Sequence, residues 1–203
     1  MDRGAILALY EEGVGAVQGV VAGWSEDEWL RPACGEWTAT DLAGHLLCVA
    51  RWYHDWLDRA EAGDSSPPFP FADLPARNQA AIDALPATSG PARLEEFGQE
   101  ARRYAARLPP VWDLAYGYPL GTVTAGLHAG AAATEWHVHA WDLAAGQYRP
   151  AHPGDLFVAV AEARLRSQGG VTGRAAVALL PILARYRPWQ QLLRRSGRRP
   201  VGR

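Results

Sequence analysis

The chain has 203 residues, of which 48% are hydrophobic and 21% are charged, so its composition is that of a globular domain. The net charge of −2 argues against the basic surface of a nucleic-acid-binding protein. All 20 basic residues are arginine, which excludes a Schiff-base mechanism and a phosphate loop that depends on lysine. The sequence has neither an apolar run of membrane-spanning length nor the pattern of a signal peptide, and we expect a cytoplasmic protein.

Hydrophobic periodicity predicts a helical protein. The predicted helices cover residues 6–21, 27–30, 39–60, 77–85, 91–108, 122 or 124 to 145, 154–167 and 172–193. Two of them begin with a capping box, formed by Ser25 with Glu28 and by Thr38 with Asp41. Residues 114–120 are predicted to be a connection, because no segment alternates as a strand does. The fold class is therefore all-α, and a helix bundle is the simplest packing.

The sharpest chemical pattern is residues 135–142 (EWHVHAWD). Glu135 and His139 are four residues apart, so on a helix they share one face, where both can bind one metal ion. Asp142 lies close enough to support His139 by a hydrogen bond, whereas His137 points to the other side. The alternative is a simple ion pair. This helix is almost wholly apolar, however, and a buried pair needs further partners or a metal.

A second pattern lies on the helix that follows Thr38. Asp41 and His45 have the same four-residue spacing, and Cys48 and Trp52 continue their stripe. Ligands from two facing helices would complete a three-ligand metal site with a position left for water or substrate. The alternative is that His45 packs in the core with Asp41 as its hydrogen-bond acceptor, and that Cys48 is a buried thiol.

The remaining candidates are weaker. His128 projects from nearly the same helix face as Glu135, two turns earlier, and is either a pocket residue or an interior polar residue. Trp52 is expected near the pocket because it shares the stripe of His45. Surface positions are expected for the two remaining histidines, His54 and His152. Free thiols without an evident activating partner are expected for the two cysteines, Cys34 and Cys48.

Residues 36–46 (EWTATDLAGHL) and 135–144 (EWHVHAWDLA) together resemble the mycothiol-dependent maleylpyruvate isomerase N-terminal domain, a family of DinB-like metal-binding four-helix bundles. The likeness covers residues 5–147. It implies a divalent metal, usually zinc, held by His45, Glu135 and His139. The two-domain isomerases carry a further C-terminal domain, whereas the residues after Gly146 read as helices here.

We therefore predict a DinB-like bundle over residues 1–150 and a helical extension over residues 151–203 that packs on the bundle and ends in a loose basic tail. His45, Glu135 and His139 would act through the bound metal. The predicted supporting and substrate-binding residues are Asp41, Asp142, His128 and Trp52. An arginine such as Arg51 would hold an acidic substrate.

The resemblance implies a mycothiol-dependent S-transferase or isomerase that acts on a small electrophile through a metal-bound thiolate. One alternative is a thiol-independent metal-dependent hydrolase, lyase or cyclase of a biosynthetic pathway. Another is a metal- or small-molecule-binding protein without turnover. The expected partner is a small molecule, not a nucleic acid or a membrane, and the expected state is a monomer or a homodimer.

Overall fold

The computed structural model describes residues 2–167, 188–195 and 197. These residues form a mostly helical protein, which confirms the predicted all-α class. The long helices are α1 (Arg3–Val20), α3 (Ala39–Glu61), α5 (Gly90–Arg107) and α6 (Ala125–Leu143). The shorter helices are α2 (Glu26–Trp29), α4 (Leu74–Asp83), α7 (Pro153–Ser167) and α8 (Pro188–Arg195). Residues 172–187 of the last predicted helix, and the predicted tail apart from Gly197, lie outside the described residues.

Each long helix begins at a side-chain cap. Asp2, Ser89 and Thr124 accept hydrogen bonds from backbone amides three residues further on, and Thr38 does so within a capping box. The second predicted capping box, before α2, is also present. These caps satisfy amide groups that the first helical turn leaves without a partner, so the polar side chains fix the start of each helix.

The four long helices pack as a bundle in which α1 contacts α5 and α6, and α3 contacts α5 and α6. The core centres on Trp136 of α6, whose ring lies 5.9 Å from that of Tyr10, 5.6 Å from Tyr53 and 4.9 Å from Phe97. These three rings come from α1, α3 and α5. One aromatic cluster therefore joins all four helices, and such rings bury a large apolar area.

At Gly13, α1 lies very close to α6. A Cβ atom at this position would lie 2.8 Å from Cβ of Trp136 and 3.1 Å from the ring of His137. A larger side chain here would push the two helices apart, because the packed interior has no space to accept it. Gly13 thereby helps to hold α6, which carries the chemically interesting residues, in its place.

Two short antiparallel hairpins were missed by the sequence analysis. The first pairs β1 (Pro32–Cys34) with β2 (Trp37–Thr38), and the second pairs β3 (Ala115–Tyr118) with β4 (Gly121–Thr124). The connection predicted for residues 114–120 is thus largely a strand. A helix start at Thr122 is wrong, because β4 continues to Thr124 and α6 begins only after it.

The segment after the bundle packs against α6. The hydroxyl of Thr134 donates a hydrogen bond to the backbone oxygen of Leu156 on α7 at 3.3 Å, and Ala159 of α7 lies against Gly130. The last helix, α8, contacts α7. Among the described residues, no helix combines the length and apolarity required to cross a lipid bilayer.

Candidate metal centre and its pocket

Three ligand-type side chains meet where α3 faces α6. His45 comes from α3, and Glu135 and His139 come from successive turns of α6. Oε1 of Glu135 lies 3.6 Å from Nε2 of His45 and 3.1 Å from Nε2 of His139. Both histidines are only 4% exposed, whereas the Glu135 side chain is 42% exposed. The two imidazoles are thus fixed inside the protein, and the carboxylate is their link to solvent.

The geometry fits one divalent cation. One ligand atom from each of His45, Glu135 and His139 lies within 4.8 Å of the other two. Zinc bonds of about 2.0–2.2 Å in a tetrahedron place ligand atoms roughly 3.3–3.6 Å apart, close to the separations found here. Two imidazoles and one carboxylate also form a donor set that zinc accepts, with a fourth position left for another ligand.

Asp142 lies within hydrogen-bonding distance of His139. Its Oδ2 lies 2.9 Å from Nδ1 of His139, and because a carboxylate can only accept, Nδ1 donates the proton. This bond leaves Nε2 of His139 directed to Glu135. Burial alone would lower the pKa of His139, but the hydrogen bonds and charges of Asp142 and Glu135 raise it to about 9. The carboxylates therefore favour a positive charge at this position.

The same environment acts on Glu135. Burial works to raise the pKa of its carboxyl, but the hydrogen bonds and charges of His139 and His45 hold that pKa well below its ordinary value. Glu135 is thus an anion at neutral pH and is ready to act as a ligand.

Asp41 has another role than the predicted support of His45. Its carboxylate Oδ2 accepts hydrogen bonds from the backbone amide of Thr38 at 3.0 Å and from the Thr38 hydroxyl at 2.7 Å. Both bonds belong to the capping box at the start of α3. The carboxylate is drawn back toward the end of the helix because Asp41 occupies the third helical position.

The β1–β2 hairpin covers the ligand cluster and brings in a residue that sequence reasoning missed. The Trp37 ring lies 4.9 Å from that of His45. Cys34 places its sulfur within 4.8 Å of ligand atoms of His139 and Asp142. Sequence reasoning found no evident activating partner for Cys34, whereas the hairpin, which turns at Gly35 with φ of 59°, brings its sulfur beside His139 and Asp142.

A cavity of about 220 Å³ opens beside the cluster. His45 and Glu135 line it, and so do the predicted pocket residues His128 and Trp52. The other lining residues are mostly apolar or aromatic: Val49, Tyr53, Trp56, Phe71, Leu74, Asn78, Tyr118, Pro119, Leu120 and Ala131. A metal ion held by the three ligands would therefore adjoin a small space with apolar walls.

His128 is enclosed by aromatic rings. Its Nδ1 lies 3.0 Å from the hydroxyl of Tyr104, and its ring lies 4.4 Å from that of Tyr116 and 4.5 Å from that of Tyr53. Burial lowers its pKa to about 3, so the imidazole is neutral at neutral pH. His128 is thus a buried polar residue that also lines the cavity, so the two alternatives considered from the sequence hold together.

The other histidines lie outside the cluster. His137 faces α1, where Nε2 donates to the backbone oxygen of Leu9 at 3.1 Å and Nδ1 accepts from the Tyr148 hydroxyl at 2.6 Å. His54 is partly buried and contacts Glu100 and Arg107, which corrects its predicted surface position. His152 is exposed, as predicted.

Two further sequence candidates do not line the cavity. Arg51 forms an ion pair with Glu96 of α5, so its predicted role of binding an acidic substrate has no support from its position. Cys48 is buried, and burial raises the pKa of its thiol. It is the inert buried thiol that the sequence analysis considered.

The fold and the cluster define a DinB-like four-helix bundle with two histidines and one glutamate arranged for a metal ion. Residues 10–144 match the family described as the mycothiol maleylpyruvate isomerase N-terminal domain. The match spans more than half of the sequence, and the chain belongs to this family, which is metal-binding. No curated protein and no solved structure matches the chain.

Proposed function

We propose that this protein is a metal-dependent enzyme that uses mycothiol as a thiol cosubstrate to carry out S-transfer to, or isomerisation of, a small electrophile. The observation that carries the proposal is the convergence of His45, Glu135 and His139 beside an apolar cavity. Family membership supports the choice of the thiol, since mycothiol is part of the description that the family bears.

His45, Glu135 and His139 would hold the ion, and zinc suits this donor set. A bound zinc ion supplies Lewis acidity that lowers the pKa of a coordinated thiol. Asp142 accepts the hydrogen bond from Nδ1 of His139 and so directs Nε2 at the cluster, where the ion would displace the proton that the raised pKa places on Nε2. Glu135 reaches the cavity, which gives a cosubstrate access to the open side of the cluster.

We assign the nucleophile to the cosubstrate because neither cysteine of the chain lines the cavity. Cys34 lies beside His139 but is not among the lining residues, and Cys48 is buried, with a raised pKa. Trp52 offers a flat apolar wall for the substrate, and neutral His128 offers a hydrogen-bonding edge without a charge. These two residues are the proposed substrate-binding side chains.

The metal is tested first. We expect purified protein, loaded with zinc and desalted, to retain about one zinc per chain by elemental analysis. His45→Ala removes a ligand and is expected to lose the ion. His54→Ala, on the same helix but outside the cluster, is the matched control and is expected to keep it. Full zinc content in both variants contradicts the site.

The thiol is tested by thermal unfolding of zinc-loaded protein with increasing mycothiol. A ligand that binds only the folded state raises the Tm in a saturable manner. We expect this rise with zinc-loaded protein and its absence in His45→Ala. Zinc binding without any mycothiol effect contradicts the thiol-dependent function. Turnover of substrate without thiol would then favour a metal-dependent hydrolase, lyase or cyclase, and no turnover a binding protein.

A further inference from the structure

One polar side chain of the cavity has a buried oxygen atom that the protein leaves without a hydrogen bond. Asn78, on α4, lines the cavity together with His45 and Glu135. The residue as a whole is partly buried, but its Oδ1 is fully buried and has no hydrogen-bond partner among the described residues. A buried oxygen that has lost its water without gaining a donor destabilises the folded state. Stability therefore does not account for this side chain.

Asparagine is also an unfavourable residue for this position. Asn78 lies in the interior of α4, and the sequence contains no other asparagine. Asparagine is a weak helix former because its side chain competes for hydrogen bonds with the backbone. Within the described part of the chain, however, Oδ1 of Asn78 accepts no such local bond. A hydrogen-bonding partner that arrives with a ligand would remove this conflict.

The neighbouring residue ties this turn of α4 to the ligand cluster. Oε1 of Gln79 accepts a hydrogen bond from Nε1 of Trp37 at 2.9 Å, and the Trp37 ring lies 4.9 Å from that of His45. The helix α4 also packs against α3, which carries His45. Asn78 is thus held on a fixed element beside the proposed metal site, as a residue that selects a ligand has to be.

A carboxamide offers an acceptor oxygen and two N–H donors in one plane, so it matches a neutral ligand group that has both, such as an amide. A thiol whose sulfur binds the ion would extend through the cavity that His45 and Glu135 share with Asn78. We propose that Asn78 is a specificity-determining residue, which forms a hydrogen bond with an amide group of the thiol cosubstrate. This inference rests on the proposed function, because it names how that same site selects its thiol.

The test compares two thiols of equal chain length: N-acetylcysteamine, which contains an amide, and 1-pentanethiol, which does not. The protein is loaded with Co²⁺ in place of zinc, because Co²⁺ accepts the same kinds of ligand. A thiolate bound to Co²⁺ gives a charge-transfer absorption, so a titration reports binding at the metal itself. The ratio of the two dissociation constants measures the preference for the amide.

Asn78→Leu keeps the branched shape of the side chain and removes its hydrogen-bonding groups. We expect N-acetylcysteamine to bind at least fivefold more weakly to this variant, and 1-pentanethiol to bind within twofold of its affinity for the native protein. Gln18→Ala is the matched control, because it removes an amide that bonds to Arg102 outside the cavity. It should leave both dissociation constants unchanged. An unchanged ratio in Asn78→Leu, or an equal change in Gln18→Ala, overturns the inference.

Thermal unfolding of the metal-free proteins separates this role from a structural one. Leucine is a better helix former than asparagine and leaves no buried oxygen unpaired, so we expect the Tm of Asn78→Leu to be equal to that of the native protein or higher. A lower Tm together with weaker binding of both thiols would show a structural role and contradict the inference.

The two proposals fail in different ways. If neither thiol produces the charge-transfer absorption in the native protein, the metal-bound thiol of the proposed function is contradicted. If both thiols bind at the metal and Asn78→Leu leaves their ratio unchanged, only the role of Asn78 is contradicted.

Discussion

His137 and His139 lie two residues apart on α6 and have opposite environments. His137 faces α1, and its hydrogen bonds to Leu9 and Tyr148 fix a neutral ring whose pKa burial lowers. His139 faces α3, and two carboxylates raise its pKa to about 9 despite burial. The same side chain is therefore a structural hydrogen-bonding group on one face of the helix and a candidate ligand on the other. Neighbours, and not residue type, decide the role.

The largest expected effect is a difference in zinc content between the variants His139→Ala and His137→Ala. His139→Ala removes a ligand and leaves only His45 and Glu135, so zinc should fall from about one per chain to near zero. His137→Ala should retain zinc, because none of the contacts of its ring reaches the cluster. Elemental analysis after desalting measures both. Retention by His139→Ala, or loss by a folded His137→Ala, would break the comparison.

His137→Ala should instead lower stability. The substitution leaves the Leu9 oxygen and the Tyr148 hydroxyl without their partner and opens a small cavity between α1 and α6. We expect a loss of about 2–4 kcal/mol in the free energy of unfolding, measured by urea denaturation. A change below about 0.5 kcal/mol would be inconsistent with a structural role for these bonds.

A smaller effect on zinc binding is expected when the carboxylate of Asp142, which contacts His139, is replaced. Asp142→Asn keeps the size of the side chain but removes the charge that orients His139. We expect the zinc affinity to fall about 10- to 100-fold in a competition assay with a chelator. An affinity within twofold of the native protein would show that Asp142 does not support the ligand.

The buried neutral histidine of the cavity predicts an acid-sensitive stability. His128 has a pKa of about 3 in the folded protein, below its ordinary value of 6.5, so at acid pH the unfolded chain binds a proton that the folded one does not. This contribution to stability is intact above pH 6.5 and falls as the pH drops below it, by about 2 kcal/mol from pH 7 to pH 5.

His128→Asn removes this contribution and should flatten that part of the pH dependence. Urea denaturation of both proteins at pH 7 and pH 5, each with chelator to exclude metal effects, measures the difference. The same pH dependence in both proteins would contradict the assignment.

The smallest expected effect concerns the carboxylate of the capping box. Asp41→Asn weakens the cap of α3 and should cost about 1 kcal/mol of stability. It should leave zinc affinity unchanged, in contrast to Asp142→Asn. A loss of affinity as large as that in Asp142→Asn would restore the sequence-based prediction that Asp41 supports His45.

Local patterns predicted much of the fold because both partners of each pattern lie within one helical turn. The capping boxes at Ser25 and Thr38 are of this kind, and so is the pair of Glu135 and His139. Sequence spacing alone does not identify the partner of Asp41. It lies four residues from His45, yet its carboxylate accepts hydrogen bonds from the nearer backbone amide and hydroxyl of Thr38.

Features that depend on distant parts of the chain escaped prediction. The β1–β2 hairpin has strands of three and two residues, too short for alternation to be visible, so the place of Cys34 beside His139 could not be foreseen. Phe71 and Leu120 both line the cavity, although Phe71 begins a short 3₁₀ helix (Phe71–Asp73) and Leu120 lies in the turn between β3 and β4. Only the folded chain brings them together.

The packing of α1 against α6 has a consequence for synthesis of the protein on the ribosome. The two helices stand at opposite ends of the bundle sequence, so the apolar face of α1 finds its partner only after α6 has emerged. His45 likewise meets Glu135 and His139 only after a segment about 90 residues further on has been synthesised. Metal binding at the proposed site would therefore come late in synthesis, and the early helices emerge with their hydrophobic faces uncovered.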